Sequence, residues 1–92
     1  LLAAQKNTGE LSQRLRTEAG FDFAISEECV EYGECADYTK VYGNKVFDVE
    51  YSDNSLSLDQ VCASSQRPAS TVFRDRDLVA KGQKGYVYGA CS

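Results

Sequence analysis

The chain contains no histidine, so a metal centre would have to be built from cysteine and carboxylate alone. Its four cysteines are poorly spaced for that: Cys29 and Cys35 bracket residues 30–34, Cys62 and Cys91 stand alone, and no CxxC pair exists. A zinc site is therefore not expected. Four cysteines in so short a chain point instead to disulfides formed in an oxidising compartment, which implies a secreted, extracellular protein. Three pairings are possible and the sequence does not choose among them. The pairing of near neighbours, Cys29–Cys35 with Cys62–Cys91, is carried forward.

Positive charge is also scarce. Ten lysines and arginines against fourteen acids leave a net charge of −4. No nucleic acid is expected as partner, because a phosphate backbone needs a basic surface to release its counterions. A cationic ligand fits better. No apolar run approaches membrane-spanning length, and the segment from Leu1 to Ala4 is too short for a signal-peptide core, so no membrane is expected either. Methionine is missing and Leu1 comes first, which reads as the result of processing or fragmentation. Gly82, Gly85 and Gly89 lack the spacing of a phosphate-binding loop. Asp53, Asn54 and Asp59 lack the alternating oxygens and the glycine of an EF-hand and read as a capped turn. No cofactor is expected, and there is no repeat or low-complexity segment.

What is present is a βα rhythm. Residues 2–5 read as a short strand ending at Lys6-Asn7. Asn7 can cap a helix with Glu10 three residues on, Leu11, Leu15 and Ala19 share a face, and Gly20 suits the residue past its end. Residues 21–25 form a second strand, and a loop rich in acids and tyrosines runs from Ser26 to Asn44, with a helical turn predicted over 37–42. Residues 45–51 alternate, with Phe47, Val49 and Tyr51 on one face and Val46, Asp48 and Glu50 on the other. A turn at 52–55 leads to a short helix over 56–65, with Leu58, Val61 and Cys62 inward. After Pro68, the only proline, a fourth strand covers 70–73 and ends in Arg74-Asp75. The glycine-rich tail reads as irregular. Four such βα units make half of an eight-stranded barrel, where roughly 250 residues are usual for the whole.

Chemistry is best sought where the second strand stops, at Ser26-Glu27-Glu28-Cys29, because side chains at the C-terminal ends of parallel barrel strands point into the mouth formed by the βα loops. Strict alternation puts Glu27 on the face of Phe23 and Ile25, so the expectation is that the alternation breaks there. Glu50 closes the third strand and shares a face with Asp48. It is expected either beside Glu27 in the mouth or in an ion pair with Lys6 or Arg74.

Lys6-Asn7, then residues 21–29, then Glu31-Tyr32-Gly33-Glu34-Cys35, then residues 45–51 resemble, in that order, the C-terminal half of glycoside hydrolase family 114. The resemblance runs from residue 2 to about residue 63, with weaker support from residues 72–75. That family comprises endo-α-1,4-polygalactosaminidases with a (β/α)8, or TIM, barrel. The resemblance implies that the 92 residues are one partial barrel domain carrying strands five to eight. It implies further that Glu27 is one of two catalytic carboxylates, the second being an aspartate at the end of strand four, upstream of this chain. Ser26 stands where the family usually has Asn.

On this reading Lys6, Asn7, Tyr32, Glu50 and Tyr51 contact substrate, a galactosamine-containing polysaccharide whose ammonium groups suit the acids at 27, 28, 31, 34 and 37. Aromatic faces can pack on sugar rings while hydroxyls bond polar groups, although each tyrosine is equally explained by packing, and the acidic run by solvation. A half-barrel leaves two sheet edges and one face uncovered, with Val46, Val49 and Val72 expected to be exposed. Either the N-terminal barrel half or self-association is then required. The alternative to an enzyme part is a non-enzymatic extracellular module that binds glycan or assembles with itself.

Overall fold

The computed structural model describes residues 4–7, 9, 12–18 and 20–91. In chain order the elements are β1 (Ala4–Lys6), α1 (Ser12–Glu18), β2 (Phe23–Glu27), α2 (Cys35–Tyr42), β3 (Val46–Tyr51), α3 (Leu58–Ala63), β4 (Ser70–Arg74) and β5 (Tyr88–Ala90). Leu2 and Ala3 of the expected first strand, and Glu10, Leu11 and Ala19 of the expected first helix, lie outside the described residues. Gly20 adopts φ +75°, as a residue past a helix end should. The second strand starts two residues later than expected and runs through Glu27. Ser57 caps α3 in a reciprocal box: Gln60 N–H donates to Ser57 Oγ at 3.2 Å and Ser57 N–H to Gln60 Oε1 at 2.8 Å.

The sheet follows chain order, β1-β2-β3-β4-β5, with the first three pairings parallel and the last antiparallel. Among the described residues, α1, α2 and α3 lie on one face. Gln5 on β1 is buried there, donating to Ser12 Oγ of α1 at 3.0 Å and accepting from the Tyr42 hydroxyl of α2 at 2.9 Å. α3 covers the same side further along, where a Cβ on Gly89 would come 2.6 Å from Leu58 Cδ2. Consecutive parallel strands with every described helix on one side form the wall of a (β/α) barrel, and four of them make half of one.

The tail is not wholly irregular as expected, since it contributes β5 beside β4. Three residues with a central glycine carry no alternation to read. The strand is specified from outside instead: Asp75 accepts from Val79 N–H at 2.9 Å and Val87 N–H at 3.1 Å, and the Cys62–Cys91 disulfide ties its end to α3. The Cys29–Cys35 bridge is also formed, at the start of α2.

Burial runs against hydropathy. The helix-covered face buries Gln5, Ser26, Asp48, Glu50 and Thr71, while Phe47 on the other face is 48% exposed. Val46, expected to be exposed, lies on the covered face in a core of Ala24, Cys29, Cys35, Tyr38 and Tyr42. The open face carries Phe23, Ile25, Phe47, Val49 and Val72 around a concavity of about 600 Å³.

Candidate active site

Alternation does not break at the end of β2. Glu27 stays on the open face with Phe23 and Ile25, and that face is the one turned to the barrel interior, so no irregularity is needed to bring the carboxylate to the mouth. The adjacent strand ends hold it. Tyr51, closing β3, donates its hydroxyl to Glu27 Oε2 at 2.9 Å, and Lys6, closing β1, places Nζ 3.6 Å from Oε1. Asn7 fixes the backbone: its own N–H donates to Ile25 O at 2.9 Å, and its Oδ1 accepts from Glu27 N–H at 3.1 Å. It does so in the left-handed region at φ +58°, which asparagine tolerates better than most residues. Lys6, Asn7, Glu27 and Tyr51 are thus brought together.

Arg76, just past β4, braces this group from the next loop. Its guanidinium carbon lies 4.3 Å from the centre of the Tyr51 ring. Its nitrogens pair with Asp53 at 2.8 Å and Glu28 at 3.2 Å. Those contacts hold the Glu28 and Asp53 carboxyls below their ordinary ranges and push the arginine further up. Burial, helped by the bond to Glu27, pushes the Tyr51 hydroxyl up to about 12. Arg76 lies outside the motifs the sequence offered. Its one signal was a cation directly after a strand end in an acidic chain.

Glu50 does not reach the mouth. It is 1% exposed on the helix-covered side, where Oε2 accepts from Val30 N–H at 2.9 Å and Oε1 from Glu31 N–H at 3.2 Å. Substrate contact is closed to it, and neither expected cation pairs with it: Lys6 pairs with Glu27 and Arg74 with Asp75. The reason is the period of two in β3, which puts Glu50 opposite to Tyr51. Burial, with Asp48 beside it, pushes the Glu50 carboxyl up to about 8.

Tyr32 is 63% exposed in the β2–α2 loop. The acidic run divides. Glu28 pairs with Arg76, and Glu31 binds Ser55, its Oε1 accepting from Ser55 N–H at 3.0 Å. Much of its charge is therefore spent on neighbouring loops. The sulfurs of Cys29 and Cys35 lie within 4.8 Å of an Asp48 oxygen, but the bridge between them leaves no thiolate for a metal.

The family model described as Glycoside-hydrolase family GH114 matches residues 1–92. The chain belongs to that family. Among solved structures it is similar to the Aspergillus fumigatus Ega3 complex with galactosamine, with a TM-score of 0.69 at 22% identity, over 99% of this chain and 38% of that one. At that identity the likeness speaks for the fold, and this GH114 chain spans well under half of the solved protein. No curated protein matches it.

Proposed function

We propose that these residues supply the C-terminal half of a secreted GH114 barrel that hydrolyses α-1,4-linked galactosaminyl polymers, with Glu27 as one of its two carboxylates. The observation that carries this reading is the setting of Glu27. It is a half-exposed carboxylate at the C-terminal end of a central parallel strand, on the interior face, held through both oxygens by Tyr51 and Lys6. Glycoside hydrolysis needs two carboxyl groups flanking the scissile bond, so the second must come from the other barrel half. Tyr32, exposed in the loop after β2, is assigned to pack on a sugar ring. The galactosamine in the Ega3 structure supports an amino sugar as substrate, and the two disulfides support an extracellular site.

In a complete barrel containing these residues, Glu27→Gln should abolish release of reducing ends from polygalactosamine while leaving the circular dichroism spectrum unchanged. Activity within a few-fold of the parent would remove Glu27 from the mechanism.

For the chain on its own, the exposed Phe47 favours a second reading, a non-enzymatic module that self-assembles through its open face. A monomer in sedimentation at micromolar concentration would rule this out.

A further inference from the structure

Two carboxyl groups are buried side by side on the helix-covered face. Asp48 is 2% exposed and Glu50 1%, and they stand two residues apart on the same face of β3. Among the described residues, no lysine or arginine pairs with either. Along β2 they face Ser26, along β4 Thr71 and Phe73, and from α2 the Cys29–Cys35 bridge, with Tyr38 and Tyr42 in the same core. Asp75, the next acid on the covered side beyond β4, is occupied by Val79, Val87 and Arg74.

The pair's other bonds all run to one place. Asp48 Oδ1 accepts from the Ser26 hydroxyl at 2.6 Å and from Cys29 N–H at 3.4 Å, and Glu50 takes the N–H groups of Val30 and Glu31. These residues flank Glu27 on both sides and enclose Glu28, whose φ of +63° is a left-handed turn in a residue that rarely adopts one. Asp48 Oδ2, by contrast, is a buried oxygen with no donor. With both groups ionised, two buried like charges would share a face on which no lysine or arginine of the described residues pairs with either, an arrangement that low dielectric penalises heavily.

We propose that Asp48 and Glu50 hold one proton between them and act together as a positioning unit for Glu27, pinning the turn at residues 28–31 that follows it. The proton on one carboxyl supplies the donor that the other lacks, and the oxygens that remain accept the N–H groups of the turn. Losing that proton sets two buried like charges against each other, and this repulsion, opposed by the stronger bonds an ionised Glu50 makes to the Val30 and Glu31 N–H groups, loosens the turn. The link to catalysis rests on Glu27 being a catalytic carboxylate. The shared proton and the pinned turn do not.

Asp48→Asn separates the cases, because the amide nitrogen it introduces would donate permanently to Glu50 while the amide oxygen keeps Ser26 and Cys29. Carboxyl carbon NMR on the full chain should show Glu50 giving up its proton in a step near pH 8. Across that step, hydrogen-exchange protection of the Val30 and Glu31 N–H groups should fall by about tenfold or more. In Asp48→Asn both the step and the loss of protection should vanish, and Glu50→Gln should protect the turn where Glu50→Ala does not. A Glu50 titration below about pH 5.5, or a turn equally protected in Glu50→Ala, would overturn the proposal. In the complete barrel, kcat should fall over the same pH range and the Asp48→Asn enzyme should lose that limb. If Glu27 is not catalytic, this last readout fails alone while titration and exchange stand.

Discussion

The Tyr51 hydroxyl donates to Glu27 Oε2 across 2.9 Å, joining the C-terminal ends of two neighbouring strands. The two residues are 24 apart in sequence and meet because Glu27 pairs with Val49 in the parallel register, leaving Tyr51 one step beyond on the same face. Arg76 holds the Tyr51 ring from the far side, so the direction in which the carboxylate is presented depends on three loops.

Tyr51→Phe keeps the ring beneath Arg76 and removes only the hydroxyl. A hydrogen bond to a charged group contributes about 1.5–3 kcal/mol, so kcat of the complete barrel should fall roughly 10- to 100-fold. The loss should appear in kcat more than in KM, with little change in melting temperature. Undiminished turnover would show that the Tyr51 bond does not matter to the reaction.

Gly89→Ala places a methyl group 2.6 Å from Leu58 Cδ2, a clash that a flexible side chain can partly escape. Destabilisation of about 1 kcal/mol is expected, at the low end for overpacking. Leu58→Ala in the same chain should recover most of it, which denaturant unfolding of the single and double variants would test.

Thiol labelling under denaturing, non-reducing conditions should find no free cysteine. The two bridges differ in leverage. Cys62–Cys91 closes a span of 29 residues and Cys29–Cys35 a span of 6, so chain entropy gives about 3.5 against about 2 kcal/mol. Replacing Cys62 and Cys91 by serine should therefore cost more stability than replacing Cys29 and Cys35, and should release β5 from β4. The reverse order in urea midpoints would contradict this.

Acid should weaken the loops around the mouth. Bonds from Arg76 and then Asn54 hold the Glu28 carboxyl below its ordinary 4.5, Arg76 holds Asp53 below 3.8, and the Val79 and Val87 N–H groups hold Asp75 below 3.8. Folded values below unfolded ones contribute stability above the unfolded pKa, and that stability is lost as pH falls through the folded values. Glu50 has the opposite sign: its contribution is complete below about 4.5 and fades as pH rises to about 8. Melting temperature should thus peak near about pH 4.5, falling on both sides. A flat plateau from about pH 5 to 8 would mean that Glu50 carries no raised pKa.

Much of the architecture was legible in the residues themselves. The alternation of Val46 to Tyr51 assigned both faces of β3, and Gly20 marked the end of α1. Each is a local property, set by side-chain period or by the φ a residue can adopt. What the residues could not reveal was which face the helices would cover. Alternation reports that two faces differ and nothing about what lies over them, so Val46 was expected to be exposed and Glu50 to sit either beside Glu27 in the mouth or in an ion pair with Lys6 or Arg74. The helices instead cover the face of Gln5, Ser26, Asp48 and Glu50, each of which bonds a partner 7 to 37 residues away in the chain. The β5 strand was hidden for the same reason, since its partners are an aspartate at the end of β4 and a cysteine on α3. Such burial is stable only when donors from distant loops arrive together, and that coincidence exists only in the folded chain.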